Sequence, residues 1–555
     1  MTTNNPKEKN QALFQSYSRC SPAGIVLLLG LLALYFVQTA DLSITGKPSR
    51  DFIWIIGITE LTVYVWIRAF SHVGLRTQII ALAVLYGLQL FLYLAVRIDG
   101  FWGDGRPILV SRWTPTAERK WVTDQQRETT ENVVNNADVA TVTEFDYPAF
   151  RGIYRAGIVQ AIGLAREWAE PPRELWRHSV GIGWSSFAVV GNYCVTQEQR
   201  GEFETVVCYE LRTGREIWNH SDLTCFDEVT SGKGPRATPT IEGGHVFALG
   251  ATGILNCLDG ANGRRIWSTN VLEENDAENA LFGMCGSPLA VNGIVVVSPG
   301  GKNASLVAYD KQTGRRIWGG GHSGASYSSP QFATFDERPQ ILNFNADGLF
   351  SHDPDSGEVL WSFPWVSNPD EKNNVCQPVA IPGDPCQVLI SSGYGKGCVL
   401  LDIIQSDETF VVRERWRNLN LKAKFSSIVR RGTHAYGLDE SILVCVDLVT
   451  GNRCWKRGRY GHGQLVLADD LLIVQAESGE VILVEANPDR HRELARFAAL
   501  DDRTWNHPVV SGDILLVRND REAACYQLPG QLSREQIDQN HKTAEFGVQP
   551  GFGGL

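Results

Sequence analysis

The sequence has no surplus of positive charge, and charged residues of both signs make up only 20% of it. Lys and Arg number 51 against 62 Asp and Glu, which gives a formal net charge of −11. Because binding to nucleic-acid phosphates needs a surplus of Lys and Arg, we expect no nucleic-acid partner. A hydrophobic fraction of 43% excludes a disordered or collagen-like chain. Gly (54) and Trp (16) are abundant among the 555 residues, which predicts many tight turns and a repeated aromatic position.

Three apolar stretches lie before residue 100, at 21–40, 52–67 and 77–96. The first and third contain no charged residue, and each is about as long as a helix that crosses a bilayer. We therefore predict three transmembrane helices within 21–97, preceded by a cytoplasmic tail at 1–20. A cleaved signal peptide is the alternative for the first stretch, although no clear small-residue cleavage site follows it and two more apolar stretches do.

The short loops favour a cytoplasmic N-terminus. The N-terminal tail and the loop between the second and third stretches hold five Lys and Arg residues, against two in the loop between the first and second. Since cytoplasmic loops are enriched in Lys and Arg, the chain after about residue 97 is expected outside the cytoplasm, on a multi-pass anchor in the inner (cytoplasmic) membrane. Glu60 lies within the second stretch, where an ionisable group suggests a proton or quinone role. The simpler alternative is a protonated carboxyl hydrogen-bonded between helices, for example to Gln89.

Residues 98–172 include a polar run and are interpreted as an extracytoplasmic linker. After them, short runs of Val, Leu and Ile alternate with glycine-rich turns, and one pattern recurs: an acid, a glycine four residues later, and a tryptophan four residues after that. This pattern is typical of a β-hairpin, because the acid can accept hydrogen bonds from turn amides and glycine supplies the positive φ of the turn. The five copies are Glu210, Gly214 and Trp218; Asp259, Gly263 and Trp267; Asp310, Gly314 and Trp318; Asp353, Gly357 and Trp361; and Asp447, Gly451 and Trp455.

The spacing of the copies predicts the blades of a β-propeller. With degenerate copies ending at Trp176, Trp416 and Phe497, successive copies lie 39 to 55 residues apart, which is the length of a four-stranded blade. Seven blades end between Trp218 and Phe497, and three strands remain after them. The segment just after residue 172 supplies the missing fourth strand. We therefore predict an all-β eight-bladed propeller over 173–528, closed by pairing of its two ends, followed by a polar tail at 529–555.

The repeat resembles the tryptophan-docking motif of pyrroloquinoline-quinone-type eight-bladed propellers, over roughly 173–528. Residues 145–152 (FDYPAFRG) are similar to the segment that precedes this propeller in many membrane-attached bacterial members. The superfamily includes quinone-dependent alcohol and sugar dehydrogenases, a non-enzymatic lipoprotein scaffold for outer-membrane barrel assembly, and many members of unknown role. The fold does not choose between them. Against the first, the sequence has no adjacent cysteine pair, and no calcium-binding set or catalytic Asp aligns. Against the second, it has no lipidated cysteine at the end of a signal sequence.

A ligand site is expected at one mouth of the central channel. The acid/glycine hairpins join third to fourth strands, so the other long links share the opposite side, where polar residues converge. Such a mixture of cations, carboxylates and amides suits a polar or anionic ligand or an extended segment of a partner. For each residue, the simpler alternative is a turn or an ion pair between blades. No second histidine stands at metal-ligand spacing from His462, so no metal site is predicted. The ten mouth candidates are Gln197, Glu198, Arg200, Arg236, Asn345, Asp347, Lys424, His462, Asp520 and Arg521.

Four of the twelve cysteines, at positions 208, 257, 445 and 525, share one repeat position and are expected to be small buried core residues. Disulfides between Cys376 and Cys386, or between Cys194 and Cys208, are alternatives in an oxidising compartment.

The functional prediction is a membrane-anchored propeller that binds a protein or a small polar ligand and acts as a binding or scaffolding module without a cofactor. The alternative is a dehydrogenase that uses pyrroloquinoline quinone and calcium to oxidise an alcohol or sugar and passes electrons to membrane quinone.

Overall fold

The computed structural model describes residue 61 and residues 74–125, 136–159, 163–368, 372–407 and 409–530. The chain divides into two compact units, one comprising Met1–Thr116 with Val229–Ser231 and the other comprising Ala117–Glu228 and Gly232–Leu555. In the first unit, helix α1 (Leu75–Ala95) is followed by an antiparallel hairpin of β1 (Val96–Phe101) and β2 (Pro107–Ser111).

The predicted membrane anchor is not confirmed. Its first two helices, including Glu60, lie outside the described residues apart from residue 61, and α1 covers most of the third. Within the part of the chain that is described, no helix combines the length and the apolar character that crossing a bilayer requires. The three-helix anchor therefore stays a prediction.

The second unit contains eight blades of four antiparallel strands, as predicted from the repeat count, and one blade is extended to a five-stranded sheet by a short parallel strand. We number these blades in chain order. Blades 1 to 4 consist of β5–β8 (Ala188–Val190, Tyr193–Arg200, Phe203–Glu210, Glu216–Leu223), β11–β14 (Thr240–Glu242, His245–Leu249, Ile254–Asp259, Arg265–Asn270), β15–β18 (Leu289–Val291, Ile294–Val297, Leu306–Asp310, Arg316–Gly320) and β19–β22 (Gln331–Phe335, Arg338–Phe344, Gly348–His352, Val359–Pro364). Blades 5 to 7 consist of β23–β26 (Val379–Ile381, Cys386–Ser392, Gly397–Ser406, Thr409–Asn418), β27–β30 (Val429–Arg431, His434–Asp439, Ile442–Asp447, Arg453–Arg459) and β31–β34 (Gln464–Ala468, Leu471–Gln475, Glu480–Glu485, Glu493–Ala498).

Blade 8 closes the ring with both ends of the propeller. Its first three strands are β35 (Val509–Ser511), β36 (Ile514–Arg518) and β37 (Glu522–Gln527), and its fourth is β4 (Arg173–Ser179). Strand β4 runs antiparallel to β37, with Trp176 opposite Cys525. This is the predicted closure, and it pairs strand edges that would otherwise be left open.

Smaller elements lie outside the blades. They are helix α2 (Ala117–Gln125), the single helical turn α3 (Val271–Glu274), strand β3 (Ile158–Val159) and the short hairpin of β9 (Asp227–Glu228) and β10 (Gly232–Lys233). Strand β3 runs parallel to the first strand of blade 7, with Ile158 opposite Leu467.

The acid–glycine–tryptophan repeat records the contact between neighbouring blades. Trp218, in the last strand of blade 1, packs on the turn glycine Gly263 of blade 2, and its Nε1 donates to the carbonyl of Gly260 at 2.9 Å. A side chain at Gly263 would clash, because a Cβ there would lie 2.4 Å from Trp218 Cε3. We call this set of contacts between indoles and turn glycines the tryptophan ring. The same packing recurs between Trp176 and Gly214, Trp267 and Gly314, Trp318 and Gly357, and Trp416 and Gly451.

The ring departs from its pattern after blade 4. The hairpin between the third and fourth strands of blade 5 lacks the motif, and Trp361 donates instead to Gln340 Oε1 of its own blade, at 2.7 Å. Two strands of ten residues, β25 and β26, form that hairpin, and Phe410 of β26 packs against the core cluster that contains Trp361. The longer hairpin thus covers the surface that a turn glycine covers elsewhere.

A second departure follows blade 6, where Trp455 has no turn glycine to pack on. The hairpin between the third and fourth strands of blade 7 contains no glycine. Trp455 keeps the hydrogen bond of the pattern, because its Nε1 donates to the Asn487 carbonyl of that hairpin at 2.9 Å. Its indole meets the ring of His491 edge-on, with centroids 5.4 Å apart. An imidazole therefore lies here against the indole, so the fifth motif copy joins blades 6 and 7 without a glycine contact.

The repeat-position cysteines are buried, as predicted: the exposed fraction of Cys208, Cys257, Cys445 and Cys525 is 0%. All eleven described cysteines are free thiols. In each of the two alternative disulfides, the two cysteines belong to different core clusters. Cys194 and Cys208 lie on opposite faces of blade 1, and Cys376 lies in a different cluster from Cys386.

Candidate functional site

A belt of buried hydrogen bonds links the residues that immediately precede the first strands of several blades. The Ser186 amide donates to Thr238 Oγ1 at 3.1 Å, and the Thr238 amide donates to Ser287 Oγ at 2.9 Å. The Ser287 amide in turn donates to Ser329 Oγ at 2.9 Å, and the Ser329 amide to Gln377 Oε1 at 3.3 Å. We call these five residues the hydroxyl belt. In each bond, a side-chain oxygen of one blade accepts from a backbone amide of the blade before it. These residues are buried, so without the bond the amide would be left unpaired.

Residues 145–159, which we call the plug, lie along the propeller axis although they belong to the predicted linker. The plug meets the first strand of blade 1 at Tyr147, which bridges to Val189, and that of blade 2 at Pro148. Phe150 packs edge-on against His507, just before blade 8, with ring centroids 5.6 Å apart. First strands line a propeller's central channel, so a segment that contacts them in several blades must lie on the axis.

The rest of the plug reaches four more blades. Arg155 donates to the carbonyls of Ser287 and Pro288 at 2.9 Å each, at blade 3, and the Tyr154 carbonyl accepts from Gln331 of blade 4. Arg151 donates to the Ile428 carbonyl just before blade 6. The Gly157 carbonyl accepts from the Leu467 amide of blade 7, beside β3. The segment similar to the family's lead-in is therefore an integral part of the propeller.

Three links from fourth to first strands, together with the turn between the second and third strands of blade 5, bring aromatic rings and cations close to one another. The guanidinium of Arg503 lies 4.7 Å from the centroid of the Trp184 ring and 4.3 Å from that of the Trp505 ring. These two rings are 4.8 Å apart, and Phe425 lies 5.2 Å from Trp505. Lys424 lies over the rings of Phe425 and Tyr394, at 5.9 and 5.2 Å. We call these six residues the aromatic cluster.

The aromatic cluster combines ring faces with positive charges, and this combination suits ligands that are aromatic or negatively charged. Cations held over indole and phenyl faces interact with planar aromatic groups and with carboxylates. The Trp505 Nε1 is already committed, since it donates to Glu477 Oε1 at 2.8 Å. Trp184, Phe425 and Trp505 are partly buried and Tyr394 is 39% exposed, so the cluster is held by the fold and still accessible.

Four of the ten mouth candidates lie in or beside the aromatic cluster. Lys424 belongs to it, and the His462 ring lies 5.1 Å from that of Phe425. Asp520 accepts from Arg503 at 3.3 Å and also lies near Arg521.

Arg236 and the two candidates of blade 4 make local contacts. The guanidinium of Arg236 donates to three backbone carbonyls and lies 4.9 Å from the Phe226 centroid. Asn345 Oδ1 accepts from two turn amides, and Asp347 pairs with Lys372 at 2.8 Å.

The remaining three candidates, Gln197, Glu198 and Arg200, lie within strand β6 of blade 1 and tie the structure together. Gln197 donates to two carbonyls of the blade 2 side. Glu198 is fully buried and pairs with Arg200 at 3.1 Å. Burial alone would raise the pKa of Glu198, but Arg200 and Arg518 outweigh it and hold that pKa below its ordinary value. As ligand contacts, all ten residues stay predictions.

Arg503, Trp184 and Trp505 are not among the ten candidates that the sequence predicts. The signal that was available is positional, because all three residues precede a first strand. Among the described residues, no group of three or more His, Cys, Asp and Glu side chains is placed to hold a metal ion.

Eight blades, ring closure by the N-terminal strand and tryptophans packed on turn glycines define a pyrroloquinoline-quinone-like propeller. The chain belongs to the family whose model is described as outer membrane protein assembly factor BamB, which matches residues 171–280 and 202–457. The chain is also similar to quinohemoprotein alcohol dehydrogenase ADH-IIG of Pseudomonas putida, with 28% identity over 130 residues. That match spans 21% of this chain and only 17% of the relative.

Two solved structures are similar to this chain. Quinohemoprotein alcohol dehydrogenase from Comamonas testosteroni superposes with a TM-score of 0.53 at 13% identity, over 75% of this chain and 85% of that one. BamB from Moraxella catarrhalis gives a TM-score of 0.47 at 14% identity, over 66% of this chain and all of the other. At 13% identity the likeness to the Comamonas testosteroni enzyme shows the fold alone.

Proposed function

We propose that this protein is a membrane-anchored, extracytoplasmic binding module that uses the aromatic cluster to hold an acidic or aromatic segment of a partner protein or a small polar ligand. The observation that carries the proposal is the placement of Arg503 against both Trp184 and Trp505 at the predicted mouth. The predicted spans at 21–40, 52–67 and 77–96 would tether this module to the inner membrane, with the propeller on the periplasmic side.

The physical basis is a rigid, partly exposed surface of mixed character. Large aromatic side chains give contact area at little entropic cost, and arginine among them adds charge and directionality. The hydroxyl belt and the plug hold the surrounding links in place, so little ordering would accompany binding. A rigid disc with one such surface suits scaffolding.

Site-specific photo-crosslinking in the full-length membrane-bound protein tests this function. A photoreactive residue at Tyr394 (39% exposed) in the cluster is compared with one at Val449 (59% exposed), in an acid/glycine hairpin on the other side of the disc. We expect a discrete crosslinked species only from position 394, and its loss in a Trp505→Ala background. Equal crosslinking from both positions, or a species unchanged by Trp505→Ala, would contradict the proposal.

A second candidate is a quinone-dependent dehydrogenase, which the similarity to the Pseudomonas putida enzyme favours. Pyrroloquinoline quinone is a planar tricarboxylate and a two-electron acceptor. The ring faces of Trp184 and Trp505 and the cations Arg503 and Lys424 fit such a group chemically. The described residues contain no group of three or more His, Cys, Asp and Glu side chains placed to hold a metal ion, so a calcium ion beside the quinone would depend on amide and carbonyl oxygens.

The two candidates are separated by reconstitution. Purified protein is incubated with pyrroloquinoline quinone and calcium, and dye reduction is measured with a panel of alcohols and sugars. Turnover that is lost in Trp505→Ala would establish the dehydrogenase. An absence of dye reduction across the panel, together with crosslinking from position 394, would establish the binding module.

A further inference from the structure

Two arginines of the plug are buried in the propeller channel with only neutral hydrogen-bond partners. Arg151 and Arg155 are 1% and 3% exposed. Arg151 donates to the carbonyls of Ala156 and Ile428, and Arg155 to those of Ser287 and Pro288. The Nε of each has no hydrogen-bond partner in the described part of the chain. Both guanidiniums therefore have donors left over.

Among the described residues, no carboxylate is one of the titratable groups that act on these two cations. Arg151 is influenced by Tyr147 and Cys376, and Arg155 by Arg151 itself. Burial raises the pKa of Tyr147 well above its ordinary value and that of Cys376 to about 12, so both groups are neutral at neutral pH. Burial, reinforced by Arg151, lowers the pKa of Arg155 to about 9. The described part of the chain thus places two positive charges in the channel without a negative one, which is an unfavourable arrangement in a dry interior.

Arg518 provides the internal comparison. It is also 1% exposed, but the Glu198 carboxylate acts on it, and its guanidinium donates to Thr196 and to backbone carbonyls. Among the described residues, the charge of Arg518 therefore has a carboxylate to compensate it, and the charges of Arg151 and Arg155 have none.

Further features of the plug describe what would bind there. The Tyr147 hydroxyl is buried and without a hydrogen-bond partner among the described residues, which adds a neutral donor. The Gly157 backbone lies close against the Arg151 guanidinium, since a Cβ at Gly157 would come within 2.6 Å of Arg151 Nη2, and this leaves little room on that side. His507 adds no charge, because burial and then Arg151 lower its pKa to about 3. A donor-rich, cationic and narrow site suits a monatomic anion better than a phosphate.

We propose that a chloride-sized inorganic anion binds inside the propeller channel, beside the plug, held by the guanidinium groups of Arg151 and Arg155 with the Tyr147 hydroxyl as a further donor. This site is distinct from the aromatic cluster and independent of whatever ligand binds there. The anion neutralises the plug and helps fix residues 145–159 to the surrounding blades.

Thermal unfolding of the full-length protein in chloride and in gluconate, at constant ionic strength, tests the site. Binding to the folded state alone raises the melting temperature with anion concentration, by about 2 °C for each tenfold rise above the dissociation constant in a domain of this size. We expect that rise in chloride and not in gluconate. Arg155→Gln should abolish it, whereas Arg518→Gln should lower the melting temperature and keep the chloride dependence. Equal melting in both salts, or a chloride dependence kept in Arg155→Gln, would overturn the proposal.

Bromide anomalous diffraction decides the matter without a variant, in case Arg155→Gln does not fold. Crystals grown in bromide should show an anomalous peak within about 3.5 Å of Arg155 Nε. An empty channel, or bromide only on the outer surface, would overturn the proposal.

Discussion

Replacing Gly263 by alanine would test the tryptophan ring at a single blade interface. Gly263 has a φ of +73°, where an alanine costs about 1–2 kcal/mol. Its new Cβ would lie 2.4 Å from Cε3 and 2.8 Å from Cδ2 of Trp218, so the indole must move. Such overpacking costs about 1–3 kcal/mol. We therefore expect Gly263→Ala to lower the free energy of unfolding by about 2–5 kcal/mol.

The matched control is Gly432→Ala. Gly432 also has a positive φ, of +57°, but no atom lies within 4 Å of the position of its Cβ. This variant bears only the conformational cost of about 1–2 kcal/mol. The difference between the two variants therefore isolates the contact with Trp218.

Equilibrium denaturation, followed by the midpoint of cooperative unfolding, measures both variants in the wild-type and in a Trp218→Leu background. Leucine leaves room for the new methyl group, so Gly263→Ala should then cost no more than Gly432→Ala. If the two glycine variants were equally destabilised with Trp218 present, or if Trp218→Leu did not relieve Gly263→Ala, the explanation of the repeat as an indole packed on a turn glycine would be wrong.

Two further predictions concern the channel and the ring. Burial lowers the pKa of His507 to about 3, against 6.5 in the unfolded chain, so the neutral imidazole contributes fully to stability above about pH 6.5 and the protein loses about 2 kcal/mol of that stability by pH 5. The His507→Gln variant should therefore lose less stability than the wild type between pH 7 and pH 5. Equal losses in the two proteins would contradict this. Trp318→Phe removes the donor to the Pro354 carbonyl and should lower the free energy of unfolding by about 1–2 kcal/mol beyond the lost packing. Trp361→Phe should lower it less, because Gln340 Oε1 still accepts from Ser351. Chemical denaturation of both variants measures the difference, and a larger loss for Trp361→Phe would refute the prediction.

The outer part of the propeller could be predicted from sequence because one spacing repeats. The acid was predicted to accept hydrogen bonds from the amides of its own turn. The structure shows this at Asp310, whose Oδ1 accepts from the amides of Gln312 and Thr313. Counting copies then gave the number of blades and the closure by β4. Because the turn residues are set by local chemistry and recur at a fixed spacing, the blades can be recognised in a single sequence.

The motif does not show which residues of the next blade contact each indole, so these contacts could not be predicted from it. Trp361 and Trp455 end complete copies, yet the blades that follow them have no turn glycine. What replaces the glycine differs in each case: a longer hairpin covers Trp361, and the ring of His491 lies against Trp455. Each replacement comes from the next blade, so the spacing within one copy carries no information about it.

The hydroxyl belt was missed because its chemistry varies from blade to blade. Thr238, Ser287, Ser329 and Gln377 each precede a proline, but a hydroxyl or an amide serves equally as the acceptor. In sequence, a polar residue before proline indicates only a turn or an extended link. The partner in each case lies 42 to 52 residues away, so no local pattern contains both ends of the bond.

The mouth candidates of blade 1 show a different reason for a limited prediction. Gln197, Glu198 and Arg200 were assigned to a link because the run of apolar residues ends before them, yet strand β6 continues to Arg200. Polar residues extend that strand because Glu198 is buried with its own partners, Arg200 and the hydroxyl of Tyr209. Buried ion pairs conceal a strand from any reading that locates strands by hydrophobic runs.

The plug also shows why the N-terminal boundary of a propeller is hard to read from its repeats. Residues 145–159 have no counterpart in any blade, so the repeat spacing carries no information about them. Its two arginines adopt left-handed backbone conformations, with φ of +65° at Arg151 and +54° at Arg155, which non-glycine residues adopt only where their surroundings hold them. Those surroundings are carbonyls from blades 3 and 6, more than 130 residues away along the chain. The plug is therefore specified by the assembled ring, and removing it would leave the inner ends of the first strands without the hydrogen bonds that now satisfy them.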